Sequence, residues 1–271
     1  MTGLTLTLKA TPERRVDLSP LSSILHLTMA EIGALKLWSG KRRLRVDELF
    51  DIQPGETSRL TIKNACTRLD YIGRDANGME ITVEGDAGAY LGIGLKSGSI
   101  RVTGNTDIFA ACEMRGGLIQ IDGDAGDFLG AALPGNKRGM RGGIVLVRGN
   151  SGDRCGDEMR RGIILVEGNV GNYCASRMIA GTIAVMGTTG DYPGYALRRG
   201  TLLLWQQPRH IPPTFGDCGT HTLSYLPLWF AALRSLKSRF ADPKNTFNRV
   251  HRYGGDLGSV GRGEILVRVE S

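Results

Sequence analysis

Basic side chains recur at one fixed position of a series of sequence repeats, eleven residues past the glycine that opens each repeat. The residues at this position are Lys96, Arg115, Arg141, Arg160, Ile179 and Arg198. If the repeats stack, neighbouring cations stand about 5 Å apart and repel by roughly 1 kcal/mol in water. Such a row becomes favourable against carboxylates, because arginine binds them through paired hydrogen bonds. We predict that the five cations of this row contact a polyanion or an acidic partner.

The same residues also allow a second interpretation, a solvated surface that binds nothing. Glu113, Asp157 and Glu158 lie close to the row in sequence and could neutralise it locally. Further basic residues adjoin the row, and these are Lys137, Arg138, Arg161 and Arg199. The sequence leaves both interpretations open.

Cysteine and histidine do not form a recognised site in the sequence. Cys66, Cys112, Cys155, Cys174 and Cys218 have no Cys-X-X-Cys spacing, which favours buried reduced thiols. Cys155 and Cys174 share a repeat position. His26, His210, His221 and His251 show no metal-ligand spacing. We therefore expect no metal site on this chain.

Two other groups could carry catalysis, and we expect neither to do so. Cys218 and His221 place a thiol near an imidazole, but no third partner is identifiable. Asp153, Asp157 and Glu158 are better explained by pairing with arginine than by acid–base chemistry. The glycine-rich turns make no phosphate loop, because no helix follows them. No catalytic residue is predicted.

The repeat that positions the cation row spans residues 81 to 204. Its leading glycines are Gly85, Gly104, Gly123, Gly149, Gly168 and Gly187, at intervals of 19, 19, 26, 19 and 19 residues. The long interval contains seven extra residues, 133 to 139, which we expect to bulge outward. Asp or Asn usually follows the leading glycine, and the pair suggests a turn with positive φ. Short apolar strands with turn glycines at a period near 20 indicate a β-solenoid.

Apolar residues also keep the period. Each repeat opens with two aliphatic residues in alternate positions, such as Ile81 and Val83, so both share one face of a strand. A third column lies ten residues past each leading glycine, and its members are Leu95, Met114, Met140, Met159, Met178 and Leu197. The fold class is therefore all-β, and we predict a right-handed parallel β-helix with one strand of this kind per coil of about 19 residues.

The flanking regions are predicted to close this solenoid. Residues 1–60 form an N-terminal α/β cap, with a strand at residues 4–8 and helical spacing over residues 29–37. Residues 61–205 form the parallel β-helix. Residues 206–271 form a helical and extended tail that packs on the coil or on partners, with a helix over 225–240 and a strand over 263–269.

Composition and charge limit the function. The 271 residues are 41% hydrophobic and carry a net charge of +7. That charge favours an anionic partner over nucleic acid, since no nucleic-acid motif accompanies it. No apolar run reaches the roughly 20 residues of a membrane span, and no signal peptide is recognisable at the N-terminus. We expect a cytoplasmic protein that contacts neither nucleic acid nor membrane.

Several motifs resemble one family. They are GDAGDFLGAALPGNKRGMRGG (123–143), MRRG (159–162), MIAG (178–181) and RRGTL (198–202), with flanks WSGKRRLRVDELFDI (38–52), RLDYIGRDANGMEI (68–81) and RYGGDLGSVGRGEILV (252–267). Together they resemble the C-subunit of formylmethanofuran dehydrogenase, which is itself similar to the C-terminal domain of glutamate synthase. The resemblance covers nearly the whole chain.

The resemblance implies a non-catalytic scaffold subunit within a hetero-oligomeric complex of one-carbon metabolism. We favour the bacterial formyltransferase/hydrolase complex of formaldehyde oxidation, since arginine outnumbers lysine as in GC-rich genomes. Its chemistry is formyl transfer between tetrahydromethanopterin and a methanofuran analogue, then hydrolysis, on other subunits. The family also supplies a candidate polyanion for the cation row, the polyglutamate tail of the carrier. No covalently bound cofactor is expected.

Two alternatives remain from the sequence. The first is the C-subunit of a molybdenum or tungsten formylmethanofuran dehydrogenase, which metal analysis would detect. The second is a free-standing β-helix enzyme or glycan-binding protein. Such proteins usually have an aromatic platform or clustered carboxylates, and the sequence suggests neither.

Overall fold

Strands dominate the architecture, as the sequence predicts. A computed structural model describes residues 2–269. Its strands form a 13-stranded sheet and a 4-stranded sheet. The all-β class is therefore confirmed, and most strand pairs of the large sheet are parallel.

The elements follow one another in chain order, with short helices confined to the two ends. The strands are β1 Gly3–Leu8, β2 Val16–Asp17, β3 Lys36–Ser39, β4 Arg42–Arg45, β5 Phe50–Gln53, β6 Glu56–Ala65, β7 Leu69–Asp70, β8 Met79–Gly85, β9 Gly98–Val102, β10 Leu118–Ile121, β11 Arg141–Val147, β12 Arg161–Val166, β13 Thr182–Val185, β14 Arg199–Leu204, β15 Gly216–Thr222, β16 Arg249–Gly255 and β17 Arg262–Arg268. The α-helices are α1 Met29–Ala34, α2 Val46–Leu49 and α3 Leu226–Ala232.

The repeats stack in register along the large sheet. Ile81 pairs with Ile100, and Val83 with Val102, so the two aliphatic columns are continuous from one repeat to the next. A second line of parallel bridges joins the repeats, beginning with Ala87 and Thr106. Residues nineteen positions apart are therefore neighbours, which confirms the stacking that the period predicts.

The third apolar column is buried as well. Leu95, Met114, Met140, Met159, Met178 and Leu197 are all 0% exposed. Met140 keeps its place because the seven extra residues before it bulge outward, and residues 134–138 are exposed. Flexible methionines suit this site, since their methyl groups fill the space beside the trailing glycines.

Of the six leading glycines, Gly85 alone has the predicted positive φ, at +121°, and the others serve a different purpose. Gly104 has no positive φ; instead, a Cβ there would lie 2.3 Å from Oδ1 of Asp86 and 2.7 Å from the carbonyl oxygen of Gly85. Oδ1 of Asp86 accepts a hydrogen bond from the Asn105 N–H at 2.8 Å. The Asp or Asn after each glycine thus bonds to the next repeat, and glycine is needed for that close approach.

Apart from Gly85, residues with a positive, left-handed φ lie at other positions of each repeat than the leading glycine. They include the trailing glycines, such as Gly98 at φ +95°, and the positions five, seven and nine residues past the leading glycine. Phe109, Ala111 and Glu113 show this in one repeat, with φ values of +61°, +57° and +53°. This conformation is unfavourable for residues other than glycine, so the stacking of the repeats must hold it.

Both ends of the chain join the large sheet. At the N-terminal end, β1 pairs in parallel with β6 and antiparallel with β5. At the C-terminal end, β17 pairs in parallel with β14, and β16 and β15 follow as antiparallel strands. The strands predicted near residues 4–8 and 263–269 are thus confirmed. The predicted helix at 29–37 is too long, since α1 ends at Ala34 and β3 begins at Lys36.

The tail packs on the outer face of the sheet. Leu226, Phe230 and Phe240 form a second core with outward-facing strand residues such as Leu165 and Leu203. The predicted helix over 225–240 is wrong in its length, because α3 ends at Ala232 and 3₁₀ turns follow.

Beyond α3 the chain adopts a conformation that a continuous helix to residue 240 would exclude. Oε1 of Glu167 accepts the backbone N–H of Arg239 at 2.7 Å, and Lys237 adopts a left-handed conformation. Arg234 and Arg239 therefore lie beyond the last turn of the helix. Among residues 2–269, no helix is long and apolar enough to cross a membrane.

Candidate functional site

The cation row is aligned by the backbone. The N–H groups of Lys96, Arg115, Arg141, Arg160 and Arg198 each donate to the carbonyl of the residue that precedes the row position in the neighbouring repeat, at 2.7–2.9 Å. Ile179 occupies the same position, with its N–H bonded to Met159 at 2.7 Å. The five cations therefore lie in one row, interrupted once.

These cations have no carboxylate partner within residues 2–269. None of the five forms an ion pair there. Lys96, Arg115 and Arg198 are exposed, whereas Arg141 and Arg160 are partly buried. Arg160 donates from Nη2 to the carbonyl oxygen of Lys137 at 2.9 Å, so the insertion contacts the row. Nε of Arg141 is buried without a hydrogen-bond partner.

The acids expected to neutralise the row serve other groups. Oε1 of Glu113 accepts from Nδ2 of Asn136 at 2.5 Å and holds the insertion. Asp157 is 3% exposed and accepts from Nε of Arg177 at 2.9 Å; Glu158 lies 3.7 Å from the same nitrogen. These three acids therefore do not neutralise the cation row. The predicted pairing with arginine is thus confirmed for Asp157 and Glu158. It is wrong for Asp153, which accepts the backbone N–H of Asn172 at 2.7 Å.

Basic residues also lie one position past the row, and they continue beyond the last repeat. Arg262 in β17 donates its N–H to the carbonyl of Arg198 at 3.2 Å and pairs in register with Arg199. Arg161 likewise pairs with Arg141. The signal was present, because Arg262-Gly263 followed by alternating aliphatic residues repeats the pattern at Arg199-Gly200. The 63-residue gap between the two copies concealed it.

A second row, which the sequence motifs did not indicate, consists of aromatic rings. Five residues past the leading glycines lie Tyr90, Phe109, Phe128, Arg154, Tyr173 and Tyr192, and Tyr71 precedes them. The rings from Tyr71 to Phe128 stack with centroids 4.7, 5.3 and 4.7 Å apart. Tyr173 and Tyr192 stack at 5.0 Å. We call this the aromatic stack; it is an aromatic platform of the kind that the sequence did not suggest.

Three of the five cysteines are buried free thiols, as expected. All five cysteines are free, and Cys112, Cys155 and Cys174 are buried. Burial raises the pKa of the Cys112 thiol. A hydrogen bond with Cys155, together with burial, raises the pKa of Cys174. Cys218 differs from the prediction of buried thiols, because it is exposed.

Cys218 and His221 are not arranged as a catalytic pair. Nε2 of His221 lies 2.9 Å from the carbonyl oxygen of Cys218, while the thiol contacts the carbonyl of Gly216. Asp217 instead bonds to His251 at 2.7 Å. A hydrogen bond from the Gly219 N–H and then the His251 contact hold the pKa of Asp217 below its usual value. Over the part of the chain that the structure describes, no group of three or more possible metal ligands occurs.

Comparison with known structures settles the family. A chain of the formyltransferase/hydrolase complex from Methylorubrum extorquens, whose crystal structure contains methylofuran, is 39% identical with a TM-score of 0.90. The match covers 98% of this chain and 100% of that chain. This chain belongs to the family of the formylmethanofuran dehydrogenase C-subunit. The resemblance seen in the sequence motifs is thereby confirmed.

Curated relatives in this family give the subunit designation. The C-subunit of the tungsten-containing formylmethanofuran dehydrogenase 2 from Methanococcus maripaludis is 32% identical over 97 residues. The same subunit from Methanocaldococcus jannaschii is 39% identical over 57 residues. The matches cover 36% and 21% of the lengths of these relatives. No protein-family model matches the chain.

Proposed function

We propose that this chain is the non-catalytic scaffold subunit of a formyltransferase/hydrolase complex. The observation that carries the proposal is the similarity over 98% of the chain to a component of such a complex. In this role, other subunits transfer the formyl group between tetrahydromethanopterin and a methanofuran analogue and then hydrolyse it to formate, in cytoplasmic formaldehyde oxidation. This chain holds those subunits.

The scaffold itself is a right-handed parallel β-helix. The in-register strand pairs and the second line of bridges support this geometry, because both connect each repeat to the next. One apolar core runs from Leu4 to Val267, so the chain resists bending along its length. A rigid body can hold two active sites at a fixed distance, which raises the local concentration of a carrier that moves between them.

The cation row gives this scaffold a surface for carboxylates. Its members lie one repeat apart without carboxylate partners in the described chain, so bound acids would relieve their mutual repulsion. We propose that the row binds either the polyglutamate tail of the methanofuran analogue or an acidic face of a neighbouring subunit. The exposed position of Arg115 and the contact of Arg160 with the insertion support a continuous binding surface.

Purification from the native host tests the assembly role. A tag on this chain should recover the formyltransferase and hydrolase subunits together, as identified by mass spectrometry. Recovery of the chain alone would contradict the proposal.

The names of the curated relatives favour a second candidate, a formylmethanofuran dehydrogenase. Stoichiometric tungsten or molybdenum in the purified complex would support that candidate instead.

Charge reversal tests the cation row. Replacing Arg115, Arg141 and Arg160 by Glu should abolish co-purification of a partner or of the carrier, because bound carboxylates would now be repelled. A matched control reverses Lys36, Lys41 and Arg42, which are exposed on the β3–β4 hairpin and change the net charge equally. Thermal unfolding checks that both triple variants fold. Unchanged recovery of partners and carrier with the row variant would exclude the role of the row.

A further inference from the structure

A cavity of about 370 Å³ lies where the aromatic stack is interrupted. Its walls include Phe109 and Phe128 of the stack, Leu133 and Pro134 of the insertion, and the side chains of Arg154 and Arg177. The volume lies near the lower end of the range of small-molecule sites, and the exposed lining is more polar than apolar. The insertion thus builds one wall at the single repeat where arginine replaces a ring.

Arg154 supplies this cavity with a positive charge and with hydrogen-bond donors. The residue occupies a ring position of the stack, and its guanidinium lies over the ring of Tyr173, 4.8 Å from the centroid. It forms no ion pair and donates no side-chain hydrogen bond within residues 2–269. The stacking fixes the plane of the guanidinium and leaves its N–H groups available for an acceptor.

The other charges that line the cavity cancel. Arg177 bonds to Asp157 through Nε at 2.9 Å and through Nη2, and Asp157 also accepts from Oγ of Ser176 at 2.5 Å. Among the residues that line the cavity this pair is neutral, and Arg154 is the lining cation without a carboxylate partner; just outside the lining, Glu158 lies 3.7 Å from Nε of Arg177 and Glu113 bonds to Asn136. A complementary ligand therefore has one negative charge and an apolar body.

The wall opposite this charge is preformed. Oε1 of Glu113 accepts from Asn136, and the N–H of Ala132 donates to the carbonyl of Asp157 at 3.1 Å, so the insertion is anchored at the cavity. Phe109 and Phe128 stack with an interplanar angle of 10°, and Phe128 ends this run of rings, so one flat apolar face of Phe128 is not covered by a further ring of the stack. Aromatic rings pack on such a surface better than aliphatic ones, because offset and edge contacts add to the buried area.

We propose that this cavity is a binding site for a small aromatic carboxylate, whose ring packs against Phe128 and whose carboxylate accepts hydrogen bonds from Arg154. The site rests on the cavity and the aromatic stack. It is separate from the cation row and stands whether or not the chain is part of a formyltransferase/hydrolase complex.

Benzoate titrated into the isotope-labelled 271-residue chain, with amide NMR shifts as the readout, tests the site. Benzoate should saturate with a millimolar dissociation constant. Cyclohexanecarboxylate should bind about two- to tenfold more weakly, since it lacks ring stacking. Benzyl alcohol, which lacks the charge, should bind at least about tenfold more weakly. No saturable benzoate binding, or equal binding of all three probes, would overturn the proposal.

Variants locate the binding. Arg154→Gln should weaken benzoate binding about tenfold or more, because a charge-assisted hydrogen bond is lost. Arg161→Gln is the matched control, since Arg161 is exposed and lies outside the cavity lining; it should bind like the parent. Arg154→Phe continues the aromatic stack and should also prevent binding, with the fold checked by circular dichroism. Benzoate binding that survives Arg154→Gln in a folded chain would refute the assignment.

Discussion

Asp and Asn side chains join successive repeats by hydrogen bonds, and the loss of stability on removing one such side chain can be predicted at Asn169. Oδ1 of Asn169 accepts from the N–H of Thr188 at 2.8 Å and from its hydroxyl at 3.0 Å. Asn169→Ala removes both bonds. Each contributes about 0.5–1.5 kcal/mol, and the exposure of both residues places the sum near the low end, at about 1–2 kcal/mol.

Urea unfolding followed by circular dichroism measures this loss. A fall of about 1–2 kcal/mol in the free energy of unfolding corresponds to a drop of about 2–8 °C in the melting temperature. Asn169→Asp is the matched control, because a carboxylate keeps the acceptor and Asp already occupies the equivalent position at Asp86 and Asp124. It should retain most of the stability.

Two results would refute the reasoning. A loss below about 0.5 kcal/mol for Asn169→Ala would be an ordinary surface effect, so the side-chain bonds would not stabilise the stacking. Equal losses in Asn169→Ala and Asn169→Asp would show that the acceptor is not what matters. In either case the close approach at Gly187, where a Cβ would lie 2.3 Å from Oδ1 of Asn169, would need another explanation.

Two further variants test other parts of the fold. Burial opposes ionisation of Asp122, but hydrogen bonds from Arg101 and Arg148 outweigh it and lower the pKa of Asp122. The stabilisation from the ionised Asp122 is complete above its unfolded-state pKa and is lost as pH falls through its folded-state pKa. Asp122→Asn should therefore be less stable than the parent at neutral pH and should approach the parent's stability in acid. Urea unfolding midpoints measured against pH test this. Phe240→Ala should cost about 3–5 kcal/mol and alter the fluorescence of Trp205, because Phe240 is 0% exposed and packs edge-on at 5.2 Å; an unchanged unfolding midpoint would mean that the tail contributes nothing to stability.

The stacking of the repeats was predictable because the apolar residues that recur at the repeat interval are also the residues that are buried. Aliphatic pairs such as Ile164 and Val166, and the column that contains Met159, recur at the repeat interval and are all buried. One-dimensional periodicity becomes three-dimensional adjacency when equal repeats stack. The alignment of the cation row follows directly, since it uses the same interval.

The end of α3 could not be predicted from the sequence, because the chain beyond it is held by contacts with distant segments. The helix predicted over 225–240 has the right apolar spacing, yet a carboxylate 72 residues away, Glu167, takes the N–H of Arg239. In general, tertiary contacts override local helix propensity, and here the chain leaves the helix at Ala232, before it reaches this contact. The aromatic stack was missed for another reason, because Tyr, Phe and Arg alternate at its position and a search for one residue type does not find it.

The absence of carboxylates from the cation row, among the residues that the structure describes, has a local cause that bears on its function. Glu113 and Glu158 stand two residues before Arg115 and Arg160, near enough in sequence to neutralise them. Both glutamates adopt left-handed conformations, with φ of +53° and +58°, and their carboxylates hold the insertion and Arg177 instead. A left-handed residue other than glycine costs about 1–2 kcal/mol.

The same position is occupied by Gly94 and Ala196 in other repeats, so an acid is not required there by the fold. The chain therefore accepts backbone strain at residues whose acids hold the insertion and Arg177. It leaves the neighbouring cations of the row to repel one another. Neither cost improves the stability of the isolated chain. A bound acidic surface would remove the repulsion, which is the physical reason for proposing that the row binds carboxylates.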